Sequence, residues 1–193
     1  MRATRRQPRS GHLRPAWPGN AVTEPPSPTV GAEPAIAVVG ADEQSDVDVD
    51  VDRWCRLATD VLHAEGRRGE LTLTFVDAGE IATLNAEHLG TLGPTDVLSF
   101  PLDDDEPGQR DVPVLLGDVV VCPAVARDQA PEHAGSLDDE LALLVVHGVL
   151  HVLGHDHAEP DETAVMRARE LELLESFHWD GPAPTSFRQE HDS

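Results

Sequence analysis

One stretch of this chain, residues 141–157, constrains its fold more than any other. It reads Leu-Ala-Leu-Leu-Val-Val-His-Gly-Val-Leu-His-Val-Leu-Gly-His-Asp-His. A helix over residues 141–153 would be apolar on nearly every side, which is typical of a buried helix. His147 and His151 stand four residues apart, so both imidazoles project from one face. Gly154 predicts the end of the helix, because helices commonly terminate in a left-handed turn at glycine.

Beyond this glycine the chain can turn back and bring His157 to the other two imidazoles. Three neutral imidazoles with an open fourth position are how proteins hold a catalytic zinc, whereas a structural zinc site is closed. The alternative is a core helix whose histidines are satisfied by hydrogen bonds, but two unpaired imidazoles in so apolar a helix would be costly to bury. The pattern therefore predicts one zinc ion per chain, held by His147, His151 and His157.

Two further polar residues, His155 and Asp156, lie beside the third predicted ligand. Each is a metal ligand, a group that orients a ligand histidine or a solvated turn residue. For His155 the turn residue is the favoured interpretation, and for Asp156 the orienting group.

The spacing His-x-x-x-His-x-x-Gly-x-x-His coincides with that of the metzincin proteases. Those enzymes carry a glutamate general base directly after the first histidine, where this chain has Gly148. A peptidase with this layout would need a base from elsewhere. A metallopeptidase is therefore an alternative and not the leading interpretation.

The charge of the chain is strongly acidic. Its 36 acidic and 14 basic residues give a formal net charge of −22, and five of the arginines lie before residue 15. Such acidity favours solubility and disfavours non-specific binding to nucleic acid. It argues against an RNA-directed function unless a partner presents the RNA.

The two cysteines, Cys55 and Cys122, are too few for a disulfide framework and lack the paired spacing of a cysteine zinc site. Without a recognisable signal sequence, this usage predicts a reducing, cytoplasmic location. The longest apolar run, Leu141–Val146, is too short to span a bilayer, so no membrane partner is expected.

Composition divides the chain into three parts. Residues 1–34 are rich in Arg and Pro and predict a disordered extension. Residues 35–179 carry the periodic apolar patterns of one folded domain, and residues 180–193 predict a flexible tail. Residues 101–113 read as an acidic excursion into solvent.

Within the domain, short apolar runs predict about four strands and 3.6-residue periodicity predicts helices. The strands mostly precede the two helices that close the domain. We therefore expect an α+β fold, a small mixed sheet with helices packed on one side. The expected strands begin near residues 35, 71, 97 and 114, and the expected helices near residues 54, 77, 123, 136 and 160.

Four stretches together resemble the YbeY family of bacterial endoribonucleases, and the likeness covers most of the domain. They are Leu84-Asn85, Thr95–Pro101, Gly117–Val120 and the motif from His147 to His157. The last is the most specific, and it includes the glycine that the protease pattern lacks.

This resemblance implies a zinc-dependent, single-strand-specific endoribonuclease. The family acts in rRNA maturation, chiefly small-subunit end processing, and in ribosome quality control. The resemblance also implies a zincin-like architecture and zinc ligands at His147, His151 and His157. The implied partners are rRNA, the small ribosomal subunit, ribosomal proteins and assembly GTPases, with no role for DNA.

One position departs from the family pattern. Where the family commonly has an arginine, preceded by an aromatic residue, this chain has Leu89 and His88. An arginine there could neutralise the charge of an RNA cleavage transition state. Without it, catalysis relies on zinc alone, on another arginine such as Arg127, or on a partner.

No catalytic base or nucleophile can be assigned from these residues. Asp96 and Ser99, in the matched strand motif, are equally well explained as a turn cap and an ordinary strand residue. Three functions stay open: the nuclease, the metallopeptidase, and a non-catalytic ribosome assembly factor that uses zinc for structure.

Overall fold

A computed structural model of the chain describes residues 35–102, 114–155 and 160–189. The described residues form four strands and five helices, in the order β1 (Ile36–Asp42), α1 (Val51–Ala64), β2 (Gly69–Phe75), α2 (Ala78–His88), β3 (Val97–Pro101), β4 (Leu115–Val121), α3 (Pro123–Gln129), α4 (Leu137–Val152) and α5 (Pro160–Phe177). The predicted extension over residues 1–34, most of the predicted excursion, and Asp156 and His157 lie outside these ranges.

The four strands form one mixed sheet in the order β1-β2-β4-β3. Strands β1, β2 and β4 run parallel to one another. Strand β3 runs antiparallel to β4 and forms one edge of the sheet. Strand β2 is central, and its alternate residues Leu71, Leu73 and Phe75 are fully buried. The predicted α+β class and the four-stranded mixed sheet are both confirmed.

The helices cover both faces of this sheet, and not one face as the sequence predicted. Val119 and Val121 belong to the main core with α1 and α4. Val120 lies between them and packs in a second cluster with Ile81 of α2. Because successive strand residues point to opposite faces, α2 lies on the face opposite α4. The sequence pattern shows which helix face is apolar, but not which sheet face receives it.

Helix α1 forms as its periodicity predicts. The side chain of Asp50 accepts a hydrogen bond from the backbone N–H of Arg53, which caps a helix start. The buried side chains are the five that the 3.6-residue spacing selects: Trp54, Leu57, Ala58, Val61 and Leu62. The acidic run before the helix is a lead into it and not a strand.

Helix α4 is the most buried helix of the domain. Its cap is Ser136, whose hydroxyl accepts from the backbone N–H of Asp139, as the capping pattern predicts. From Glu140 to Leu150 every residue is buried. None of the described helices is both long and apolar enough to cross a membrane.

The end of α4 is set by Gly154, which has a φ of 90°. Its backbone N–H donates to His151 O, at 2.9 Å, and the N–H of His155 donates to Leu150 O, at 3.0 Å. These two bonds form a Schellman motif. The predicted glycine stop is confirmed, and it turns the chain immediately after the two helical histidines.

The last helix packs against the core with Met166, Leu173 and Leu174, as predicted. Phe177 was expected on the same face but is 42% exposed. It is the last residue of α5, where the helix ends beyond the core.

The described part of the predicted flexible tail contacts the domain. Phe187 packs edge-on against Trp179, with ring centroids 4.7 Å apart. The backbone N–H of Arg188 donates to the His133 carbonyl, and the Gln189 amide donates to the Arg167 carbonyl. The sequence expectation rested on Gly and Pro content, which does not register these long-range contacts. The predicted boundary at residue 34 stays a prediction.

Candidate metal centre

The two histidines of α4 lie side by side, as their spacing predicts. Their ring centroids are 4.4 Å apart and their planes meet at 74°. His147 is 3% exposed and His151 is half-buried. Both rings lie on the last two turns of a buried helix, so the two side chains lose little conformational freedom when they bind one metal ion.

The buried member of this pair has a carboxylate partner that the sequence reasoning missed. His147 Nδ1 lies 2.7 Å from Glu170 Oε1, and both side chains are almost completely buried. Glu170 lies four residues after Met166 and three before Leu173, on the core-facing side of α5. An acidic residue at a core-facing helix position was the signal that could have found it.

This hydrogen bond decides which nitrogen of His147 can bind a metal. When Glu170 is ionised its carboxylate only accepts, so Nδ1 then carries the proton and Nε2 carries the lone pair. Metal-binding histidines commonly have this arrangement, with one nitrogen on the metal and the other donating to a carboxylate. The donor set of His147 and His151 therefore suits zinc, which favours imidazole nitrogen.

Within residues 35–102, 114–155 and 160–189, no group of three His, Cys, Asp or Glu side chains lies close enough to hold a metal. A site at His147 and His151 therefore needs a ligand from another part of the chain, and His157 was predicted to supply it. His157 and Asp156 lie outside the described residues, so their predicted roles stay predictions.

His155 serves as a turn residue through its backbone, which closes the Schellman motif. Its Nε2 lies 3.5 Å from Glu65 Oε2. The other oxygen of Glu65 accepts from Arg169 Nε at 2.7 Å. The first residue after the glycine stop is therefore next to a carboxylate that joins the end of α1 to α5.

Comparison with known proteins decides the family. The family model Endoribonuclease YbeY matches residues 40–178. An Endoribonuclease YbeY from Acidothermus cellulolyticus is 49% identical over 147 residues, covering 71% of this chain and 89% of the relative. Another from Frankia casuarinae is 46% identical over 154 residues and covers 76% of each chain. This chain belongs to the YbeY endoribonuclease family. A solved structure of TM1509 from Thermotoga maritima aligns with a TM-score of 0.49 at 22% identity, over 74% of this chain and 93% of that one.

The glycine after the first histidine of this YbeY chain faces the sheet at close range. A Cβ on Gly148 would lie 2.6 Å from Val119 Cγ1 and 3.3 Å from Ser99 Oγ. Real Cβ contacts essentially never come as close as the first of these, so no side chain fits unless the Val119 side chain shifts. The position where metzincins carry their base therefore lacks room for one, which disfavours the metallopeptidase.

The strand motif of the YbeY resemblance plays structural roles here. Asp96 is 7% exposed, and its carboxylate accepts from the Val97 N–H and the Thr95 hydroxyl. Ser99 Oγ donates to the Gly148 carbonyl across the β3–α4 contact, at 3.2 Å. These contacts favour a turn-capping role for Asp96 and a packing role for Ser99 over direct catalytic roles.

The motif residue Asn85 holds the loop that follows α2. It is 4% exposed, and its amide donates to the Gly93 carbonyl at 2.9 Å. Within this loop, Leu89 is the C-cap of α2 and is 65% exposed. His88 instead packs edge-on against Phe100. The departure from the YbeY pattern thus leaves an exposed apolar side chain where the family commonly has a cation.

Arg127, the predicted substitute for the missing arginine, lies in α3. Its Nε is 3.5 Å from the Asp128 carboxylate, and Nη1 donates to the Asp46 carbonyl at 3.4 Å. No described contact joins it to the two helical histidines. The structure therefore gives no support to Arg127 as a catalytic cation.

Proposed function

We propose that this chain is a zinc-dependent, single-strand-specific endoribonuclease that acts in rRNA maturation, chiefly small-subunit end processing, and in ribosome quality control. One observation carries the proposal: in a YbeY chain, His147 is held by a buried carboxylate directly beside His151. We propose His157 as the third ligand and one zinc ion per chain.

The chemistry of this donor set suits hydrolysis of a phosphodiester. Zinc held by three histidines lowers the pKa of water to roughly 7 and polarises a phosphoryl oxygen. The residues of the chain hold and orient the metal ligands. The end of α4 presents two imidazoles at a set separation, and Glu170 keeps the proton of His147 on Nδ1.

The proton acceptor in the reaction is not on α4 next to the first ligand, because Gly148 has no space for a side chain. The base is therefore a group of the substrate or of another segment. An RNA substrate offers its own 2′-hydroxyl as a nucleophile, which would require no side-chain nucleophile.

The acidity of the chain, −22 at pH 7, bears on the substrate. Such a protein is repelled by free polyanions, and the repulsion weakens as salt screens it. We propose that the physiological substrate is rRNA presented on the small subunit in the cytoplasm. Contacts with ribosomal proteins or assembly GTPases then replace general attraction to phosphate.

The test compares zinc content and cleavage in the wild type, His147→Ala and a control, His63→Ala. His63 is an exposed histidine in the last turn of α1 and is not one of the predicted zinc ligands. We expect about one zinc per wild-type and control chain, and cleavage of precursor small-subunit particles. His147→Ala should lose zinc and at least about 100-fold in cleavage, since even removal of an outer partner costs 10–100-fold.

Four outcomes would contradict the proposal. Wild-type protein that stays metal-free in excess zinc would remove the cofactor. Equal, strong cleavage of any naked RNA would remove the need for the particle. Zinc-loaded protein that associates with the particle but cuts nothing would favour the non-catalytic assembly factor. Chelator-sensitive cleavage of casein would restore the metallopeptidase.

A further inference from the structure

The carboxylate of Glu170 lies where the core would accept an apolar side chain. It is 1% exposed, and its neighbours on the same helix face are Met166, Leu173 and Leu174. Burying a carboxylate is costly, and replacing a buried ionic pair by apolar residues often leaves stability unchanged or raises it. The fold of α5 does not itself require an acid at this position.

Both oxygens of this carboxylate have hydrogen-bond partners. Oε1 lies 2.7 Å from His147 Nδ1, and Oε2 accepts from Gln189 Nε2 at 3.1 Å. The same Gln189 nitrogen donates to the Arg167 carbonyl at 2.7 Å. The glutamine is thereby fixed to the turn of α5 that precedes the acid, and it holds the plane of the carboxylate.

We propose that Glu170 is a positioning residue for the zinc site, and that the C-terminal segment 181–189 supports it through Gln189. The carboxylate fixes the His147 ring and its Nδ1–H tautomer, so that the Nε2 lone pair is the one offered to the metal. The assignment rests on the proposed zinc site. It adds two residues outside the histidine motif and makes the C-terminal segment part of the site.

A purely structural role for Glu170 makes a different prediction for zinc affinity. If the carboxylate served only the fold, its removal would lower the stability of the metal-free protein and leave zinc affinity unchanged. If it positions His147, a shape-matched apolar replacement should weaken zinc binding, in addition to the stability that is lost when one partner of a buried pair is removed. Zinc affinity therefore separates the two roles, and the stability of the metal-free protein is measured beside it.

The experiment measures zinc affinity by competition with a chromophoric chelator, together with thermal unfolding of the metal-free proteins. The set is wild type, Glu170→Gln, Glu170→Leu and Gln189→Ala. The control is Glu172→Gln, which makes the same charge change on α5 at a carboxylate that is 67% exposed. Cobalt(II) loading reports the geometry through its visible spectrum.

We expect Glu170→Leu to weaken zinc binding by about 10–100-fold, the usual cost of losing such a partner. Glu170→Gln should lose less, because its amide oxygen can still accept from Nδ1. Gln189→Ala should lose least, and Glu172→Gln nothing. The cobalt spectrum should change in Glu170→Leu and stay unchanged in the control.

Wild-type zinc affinity in both Glu170 variants would overturn the positioning role and leave the proposed nuclease intact. A wild type that binds no zinc would remove the proposed function and this inference with it. If Glu170→Leu does not fold, the isosteric Glu170→Gln decides. Unchanged affinity there, with reduced metal-free stability, would show the carboxylate to be structural.

Discussion

Helix α4 contacts α5 and the residues after it through two histidine–carboxylate pairs, one towards each end. Near its start, Asp139 Oδ1 lies 2.9 Å from His178 Nε2, and near its end His147 Nδ1 lies 2.7 Å from Glu170 Oε1. Both histidine side chains are 4% exposed. Distance and the burial of the histidine therefore do not distinguish the two pairs, although Asp139 is 16% exposed and Glu170 only 2%.

They differ in what surrounds the carboxylate and the second nitrogen. Asp139 also accepts from Trp179 Nε1, at 2.6 Å, and from the Ser136 hydroxyl, at 2.7 Å. The Nδ1 of His178 lies 3.5 Å from an Arg53 amino group. Both nitrogens of His178 therefore face protein groups, a carboxylate at Nε2 and a guanidinium at Nδ1.

The pair at the end of α4 uses the other ring nitrogen, Nδ1, and has a second imidazole at its side. His178 is surrounded by protein donors and an acceptor, which is typical of a packing role. His147 instead has the ring of His151 beside it, with ring centroids 4.4 Å apart. A buried histidine–carboxylate pair is thus not itself evidence of a metal site; a second potential metal ligand beside the pair is.

The largest expected difference between the two ends of α4 comes from removing one histidine at each end. His151→Ala should reduce zinc affinity and cleavage by more than about 100-fold, beyond the 10–100-fold cost of losing an outer partner. His178→Ala should leave zinc affinity unchanged and lower the free energy of unfolding by about 1–3 kcal/mol, because it leaves buried hydrogen-bonding groups without a partner. Chelator competition and denaturant unfolding measure the two quantities. Reduced zinc affinity in His178→Ala would break the comparison.

The next largest expected effect is a loss of stability on substitution of a glycine in the middle of α4. Gly148→Ala places a Cβ 2.6 Å from Val119 Cγ1, and overpacking of this kind costs about 1–3 kcal/mol. The matched change is Gly154→Ala, where φ is 90° but nothing lies within 4 Å of the added Cβ. It should cost about 1–2 kcal/mol through the left-handed backbone alone.

The two glycine variants are separated by a suppressor. Val119→Ala shortens the side chain that the new Cβ would meet, so it should recover part of the stability lost in Gly148→Ala. It should not rescue Gly154→Ala, because backbone strain does not depend on that contact. Urea unfolding of the single and double variants gives the coupling energy. Additive effects of Gly148→Ala and Val119→Ala would contradict close packing as the cause.

The sequence was most informative where structure depends on neighbouring residues. The serine cap, the apolar run and the glycine stop of α4 are local, so the helix and its side-by-side histidines were predictable. The four strands followed from short apolar runs for the same reason. The exact partner of His147 was not local, because Glu170 is 23 positions away and reaches it only when α5 packs on α4.

The features that the sequence did not predict all depend on tertiary packing. Helix α2 was expected to begin near residue 77, but its placement opposite α4 is set by the alternation of Val119 and Val120 in a paired strand. The contacts of the C-terminal segment involve single residues such as Phe187 and Gln189 within a Gly- and Pro-rich stretch. Composition averages over these residues, so these contacts were not predicted, and the flexibility of the tail stays a prediction.

The smallest effect concerns acid stability at the start of α4. Burial would raise the pKa of Asp139, but hydrogen bonds from Ser136, Trp179 and His178, with the charge of His178, outweigh it and lower the pKa. A depressed native pKa stabilises the fold above the unfolded pKa of about 3.9 and loses that contribution as the pH falls through the native pKa. Asp139→Asn should therefore cost about 1 kcal/mol at pH 7, and the difference should shrink below about pH 4.

The difference in unfolding free energy between the wild type and Asp139→Asn isolates the Asp139 carboxyl from other groups that titrate in the same pH range. Burial raises the pKa of Glu140, its neighbour in sequence, against opposing hydrogen bonds from Ala134 and His133. That group contributes with the opposite sign, because protonation then favours the folded state. Its contribution is common to the wild type and Asp139→Asn and cancels in their difference. A difference that stays constant from pH 7 to pH 3 would mean that Asp139 is not stabilised as an anion, and the two ends of α4 would then differ less than their hydrogen bonds indicate.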